Sequence, residues 1–172
     1  MVECISWLSE VREVFPKLDK KIILAEYKPM TNKKLGFVRA KIEQKLDFNP
    51  EALLLGEKVK IKNKRSKPQK FDIFINSNLQ KIKNIALRRE IIQHILIHEL
   101  LHIENEDLIT ISKNFNKRKK KKIHLNNFEE EVFIRFNQLR ELKGIMKIEK
   151  KEHLELAISK ILDSINWRDK KS

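Results

Sequence analysis

The spacing of apolar positions predicts an N-terminal helix and a long buried helix in the middle of the chain. The first is indicated by an apolar stripe that ends at Pro16 and consists of Ile5, Leu8, Val11 and Phe15. The strongest helical segment covers roughly residues 85–104. Its centre, residues 91–97, is apolar on nearly every side, which is typical of a helix buried all round.

Short runs of β-branched and aromatic residues predict the strands. Residues 22–27 and 35–42 are two such runs, and turn-forming residues separate them. Residues 59–61 and 71–75 are interpreted as neighbouring strands that form a hairpin, with a charged turn over residues 63–69. The sequence Asn-Ser-Asn from residue 76 is expected to end the second of them.

Two helices are predicted in the C-terminal third. Asn127 followed by Glu130 matches an N-cap with an acid at the third helical position, and Gly144 is expected to end that helix. A last amphipathic helix covers about residues 150–167. With only 3 Gly and 4 Pro, an all-β fold is disfavoured. The expectation is a single α+β domain over residues 1–172, with its core at about 20–144 and three or four strands in a small sheet.

Composition places the chain among globular proteins. Hydrophobic residues make up 41% and charged residues 36%. The single cysteine, Cys4, cannot form an internal disulfide, which fits a reducing compartment. Because the N-terminus lacks the apolar core of a signal peptide and no segment is apolar enough to span a membrane, a cytoplasmic location is expected.

The formal net charge of +14 points to a polyanionic partner, nucleic acid above all, with DNA as the expected one. The block NKRKKKK, which includes Lys117–Lys122, is predicted to be an exposed basic loop that contacts phosphates. The alternative is that the loop is only solvated and the charge reflects a lysine-rich composition. No aromatic residues are interleaved with the block, which argues against specific reading of single strands through it.

The segment His-Glu-Leu-Leu-His at residues 98–102 carries the strongest chemical signal. On a helix, His98 and His102 lie on one face, so both imidazoles can bind one zinc ion with Glu99 beside them. A zinc site of this kind keeps a position open for water and lowers its pKa to about 7, and Glu99 can act as general base. The pattern is expected by chance about 0.015 times in such a chain. The alternative, satisfied core histidines with a surface Glu, is disfavoured because unpaired His and Glu are costly to bury.

A third protein ligand is needed for such a site. His124 follows the basic loop and immediately precedes the next helix, and the carboxylates of Glu129, Glu130 and Glu131 are the alternatives. His94 lies one turn before the motif and is interpreted as a supporting or core residue. His153 lies in a charged stretch and is interpreted as surface.

Three stretches, FDIFINSNL, HILIHELLHI and KKIHLNNFEEEVFIRF, resemble the SprT-like zinc metallopeptidases, most closely the phage metallopeptidase group. The similarity covers roughly residues 24–140. It implies a zincin-like fold, zinc bound by His98, His102 and His124, and Glu99 as the catalytic base. SprT-like members include proteases that act on DNA-bound proteins, which suits the charge. The chain departs from the group in the four residues that separate His124 from Glu129, so Glu130 and Glu131 stay open as ligands.

The sequence therefore predicts a zinc metallopeptidase that hydrolyses peptide bonds with a metal-bound water and Glu99 as general base, acting on proteins associated with nucleic acid. One alternative is a basic nucleic-acid-binding module whose zinc is structural or absent. Another is a regulatory peptidase similar to the ImmA/IrrE proteins. Glu99 distinguishes the first two, because a structural zinc site needs no base between its histidines.

Overall fold

A computed structural model describes residues 2–30, 34–41, 44–47, 62–65, 68–106, 108, 127–165 and 167. Over these residues the chain forms four α-helices, which are α1 (Val2–Arg12), α2 (Ile85–Glu104), α3 (Phe128–Leu142) and α4 (Lys151–Ser164). It forms five strands, which are β1 (Ile22–Lys28), β2 (Gly36–Lys41), β3 (Gln44–Asp47), β4 (Lys62–Arg65) and β5 (Lys70–Asn76). The predicted α+β class is confirmed.

The main sheet has three strands in the order β1-β5-β2. β5 is central and pairs with β1 in parallel and with β2 in antiparallel orientation. β3 and β4 form a separate antiparallel pair. The predicted hairpin partner of β5, residues 59–61, lies outside the described residues. β5 pairs with β1 along one edge and with β2 along the other.

The predicted turn over residues 63–69 is wrong in its first half, because β4 covers Lys62–Arg65. This strand contains only Lys, Asn and Arg, so it shows none of the alternation of apolar and polar residues that identifies a strand from sequence. β4 is a strand because its backbone pairs with that of β3, and its side-chain pattern does not indicate this pairing.

One hydrophobic core joins the sheet to the helices. Phe71, Ile73 and Ile75 alternate along β5 and bury their side chains against the helices. α1 contributes its buried stripe to the same core, which consists of Cys4, Trp7, Leu8 and Val11. The predicted stripe is wrong at Ile5, which is 53% exposed. Cys4 and Trp7 are buried beside Leu8 and Val11, because residues three and four positions apart lie on one face of a helix.

α2 is the central helix of the fold and contacts α1, α3, β2 and β5. It begins after Asn84, whose side chain accepts a hydrogen bond from the backbone N–H of Leu87. Ile97, Leu100 and Leu101 are fully buried. The predicted extent of this helix, residues 85–104, and its burial are confirmed. The side chains of α2 are buried or half-buried except those of Ile85 and Ala86 at its start, which are exposed.

α3 packs on α2 through buried apolar residues and through ion pairs, among them Arg135 with Glu104 and Arg140 with Glu90. Arg135 donates to Glu104 Oε2 at 2.9 Å and also to the carbonyl of Val14, and its guanidinium lies over the ring of Phe15. One side chain thus joins α3 to the end of α2 and to the segment that follows α1. Asn127 is the N-cap residue of α3, as predicted. The expected capping hydrogen bond is wrong, because the Asn127 side chain makes none.

The C-terminal end of α3 agrees with the sequence, because Gly144 has a φ of +67°, a conformation that glycine adopts without strain. α4 then buries Leu154 in the common core, and the predicted last helix is confirmed. Among the described helices, none is long and apolar enough to cross a membrane.

Candidate metal centre

The two histidines of the HELLH segment lie side by side on α2. Their ring centroids are 5.0 Å apart and the ring planes make an angle of 77°. The His98 side chain is 24% exposed, whereas His102 is almost fully buried. Glu99, between them in sequence, is 7% exposed and therefore holds a carboxylate in a largely water-excluded position.

This spacing fits two ligands of one zinc ion. Zn–N bonds are about 2.0–2.1 Å long, so two imidazoles bound to one tetrahedral ion have ring centroids about 5 Å apart. The measured separation agrees with that requirement. Imidazole nitrogen is also among the ligands that zinc prefers. The donor set of His98 and His102 therefore suits zinc.

Phe128 fixes the orientation of both histidine rings. Its ring stacks on His102 with centroids 4.6 Å apart and an angle of 27°, and it meets His98 edge-on at 4.9 Å. Phe128 is buried and is the first residue of α3. Packing of this kind restricts the imidazole rotamers before any ligand binds.

The first turn of α3 brings one of the predicted acids to the site. Glu129 Oε1 lies 3.9 Å from His98 Nδ1. Glu131 points to Arg135 instead, at 3.8 Å, and Glu130 is exposed. Glu129 is therefore the carboxylate of the three that the fold places nearest the histidines.

His124, the predicted third ligand, lies outside the described residues. Within the described part of the chain, no three His, Cys, Asp or Glu side chains are grouped so that they could hold one metal ion. The described site thus consists of two histidines, the buried Glu99 and the nearby Glu129. The basic loop, residues 117–122, lies outside the described residues as well.

Gly36 allows β2 to approach α2 next to the candidate base. A Cβ atom added at Gly36 would lie 2.7 Å from Ile95 Cγ2, 3.2 Å from the carbonyl oxygen of Phe74 and 3.6 Å from Glu99 Oε1. The first distance is too short for a Cβ contact, and the second is tight. Glycine is therefore needed here for close packing of strand against helix, and this packing confines the Glu99 carboxylate.

The sequence reasoning missed the roles of Gly36 and Phe128 in this site. Gly36 stands in a predicted strand interior, where an isolated glycine is a known sign of close backbone approach. Phe128 stands just before the three acids, and no pattern distinguishes an aromatic residue that packs on histidines from one that packs in the core. Only the first of these roles had a signal in the sequence.

The positions of His94 and His153 agree with the predictions from the sequence. His94 is partly buried and meets the ring of Phe136 edge-on, with centroids 5.5 Å apart. Burial lowers the pKa of His94 from its ordinary value to about 4, so it is neutral at pH 7. His153 is exposed on α4.

The depressed pKa of His94 predicts a loss of stability in acid. The unfolded chain takes up a proton on His94 near pH 6.5, and the folded chain only near pH 4. The contribution of neutral His94 to the free energy of unfolding is therefore fully present above pH 6.5 and declines as the pH falls toward 4. The decline amounts to at most about 3 kcal/mol. In a His94→Leu variant, urea unfolding in the presence of a chelator should show a pH dependence that is weaker by this amount. His153→Gln should keep the wild-type dependence, and an equal dependence in His94→Leu would contradict the assignment.

Comparison of the chain with protein-family models, with curated proteins and with solved structures gives no match.

Proposed function

We propose that this protein is a zinc-dependent metallopeptidase whose site is formed by His98, Glu99 and His102. The observation that carries the proposal is the pair of imidazoles at zinc-binding separation on one face of a buried helix, with a buried carboxylate between them in sequence. Glu99 and His102 are buried and His98 is partly buried, so the polar groups of this segment lie within the fold of an otherwise apolar helix.

In this proposal His98 and His102 hold the ion, and a third ligand comes from His124 or from the first turn of α3, where Glu129 is nearest. Bound zinc would supply Lewis acidity, which polarises a peptide carbonyl and lowers the pKa of water. Glu99 takes a proton from the attacking water and delivers it to the departing amine. The water-excluded surroundings of Glu99 strengthen its electrostatic interaction with these charges.

Edge strand β2 supports a peptide as the substrate. Among the described strands, β2 has β5 as its neighbour on one side and forms an edge of the three-stranded sheet. At Gly36 this edge strand packs directly beside Glu99. An extended peptide can add to a sheet edge through backbone hydrogen bonds, which would bring a peptide bond past the carboxylate.

Metal analysis tests the binding half of the proposal. Purified protein should contain, or take up, about one zinc ion per chain, since two preformed imidazole ligands favour one site. His98→Ala and His102→Ala should each reduce zinc affinity by at least about 100-fold, as expected on loss of a direct ligand. His153→Ala, which removes an exposed histidine, is the matched control and should retain zinc. Full zinc content in both motif variants would refute the site.

A further inference from the structure

The outer face of the three-stranded sheet, opposite the helices, carries a pair of stacked aromatic rings. Phe37 of β2 and Phe74 of β5 are register partners, with ring centroids 4.7 Å apart and an interplanar angle of 28°. Side chains alternate along a strand, so Phe74 projects away from the core face formed by Phe71, Ile73 and Ile75. The stacked pair is therefore separate from the hydrophobic core between sheet and helices.

Three exposed cations surround these rings. The Lys34 ammonium lies 4.2 Å from the Phe37 centroid, the Lys28 ammonium 4.7 Å from that of Phe74, and the Arg39 guanidinium 5.6 Å from that of Phe74. Such distances are those of cation–π contacts. We call this set of five residues the aromatic–basic face.

The sheet surface beside the aromatic–basic face is open and positively charged on balance. Ile22 and Leu24 of β1 lie on the same side of the sheet and are 52% and 54% exposed. Two acids share this side, Glu26 and Asp72, and Asp72 is paired with Lys41 at 2.9 Å. The three cations over the rings therefore outnumber the one remaining acid.

We propose that the aromatic–basic face binds single-stranded nucleic acid, with a base stacked on Phe37 and phosphates bound by Lys28, Lys34 and Arg39. Stacking platforms flanked by cations are the recurring device for single strands, because every base has a π-face and every nucleotide a phosphate. A duplex keeps its bases stacked on each other and offers none to Phe37. Lys34 lies over the ring and has a flexible side chain, so it can turn from the ring to a phosphate when a base takes its place.

This surface is distinct from the candidate metal centre but lies close to it. Gly36, the residue before Phe37, packs against α2 beside Glu99 on the opposite side of β2. A nucleic-acid strand bound to the aromatic–basic face would thus lie on one side of the sheet, and the proposed catalytic base would lie on the other side. The relation to catalysis rests on the proposed function, whereas the binding itself does not, and a binding measurement tests it without any activity.

Fluorescence anisotropy with labelled oligothymidylate and oligouridylate of about 20 nucleotides, longer than a typical site of this kind, tests the proposal on the whole protein. Phe37→Leu keeps an apolar side chain and should weaken binding about 5- to 100-fold through lost stacking. Lys28→Gln with Lys34→Gln should lower the slope of log affinity against log salt by about 0.7 for each lost phosphate contact. The two oligonucleotides distinguish DNA from RNA as the ligand.

The matched control is Lys150→Gln with Lys160→Gln, which removes the same charge from two exposed positions outside the face. It should change the affinity and the slope less than the Lys28 and Lys34 pair does. Circular dichroism and thermal unfolding should show that Phe37→Leu stays folded, and the charge pair tests the same surface independently if it does not. The proposal is overturned if the protein does not bind single strands, if a duplex binds as tightly and Phe37→Leu has no effect, or if both lysine pairs act alike.

Discussion

Replacing Glu99 by glutamine is expected to reduce peptide hydrolysis by about 10²- to 10⁴-fold, the contribution of a positioned general base. The amide is nearly isosteric with the carboxylate and fits the same buried position, but it cannot take a proton from water. Zinc content and the unfolding transition should stay as in the wild type, because the proposed ligands are His98 and His102. Cleavage of labelled casein, zinc analysis and urea unfolding of the same preparations provide the three measurements.

Glu152→Gln is the matched control for this substitution. Glu152 is exposed on α4, so loss of its charge should leave hydrolysis close to the wild-type rate. If Glu99→Gln cleaved casein as fast as the wild type, the base would be another residue. If it lost zinc instead, Glu99 would bind the metal or hold one of its ligands in place. That result would favour the alternative of a nucleic-acid-binding module with structural zinc.

Replacing Arg135 by methionine is expected to lower the free energy of unfolding by about 3–5 kcal/mol, the cost of removing one partner from a buried ion pair. Glu104 would keep its contact of 3.8 Å with the ammonium of Lys17, whose side chain is 76% exposed. The Glu104 side chain is only 6% exposed and that of Arg135 is 18% exposed, so water replaces the lost contact poorly. Methionine keeps much of the apolar length of arginine and isolates the loss of charge and hydrogen bonds. Urea unfolding at equilibrium measures the change.

The control for Arg135 is Lys143→Met, which breaks the pair of Lys143 with Glu13. The side chains of that pair are 28% and 48% exposed, and such pairs contribute about 0–1 kcal/mol. A double variant of Arg135→Met with Glu104→Leu should recover much of the loss, because no uncompensated charge is left buried. If the double variant were as unstable as the sum of the single changes, the loss would come from packing and from the Val14 carbonyl.

Segments whose burial is reflected in their own composition could be predicted from the sequence. α2 was predicted over its observed extent because almost every position along residues 91–97 is buried, and the chain is apolar there on all sides. β5 and the HELLH spacing were recognised for the same kind of local reason. Asn76 both ends β5 and accepts a hydrogen bond from the N–H of Asn78, as residues of this type do at turns.

What could not be predicted depends on contacts between distant segments. β4 contains only polar residues and is a strand through its pairing with β3, which no local pattern encodes. The exposure of Ile5 reflects the direction from which the sheet and α2 approach α1. The sequence does not show which of the three consecutive acids lies near His98, because this depends on how α3 packs on α2, and in the structure it is Glu129. The zinc ligands His98 and His102 and the base Glu99 remain predictions that the geometry supports.

Ile97, Leu100 and Leu101 are fully buried in the core, and the candidate site residues His98, Glu99 and His102 lie on the same helix. The frame that holds the histidines is thus assembled by apolar packing and does not depend on an ion, unlike a zinc finger, which is unfolded without its metal. Removal of zinc would then leave a folded protein ready to be reloaded. Under the proposed function, the supply of metal would then control activity reversibly.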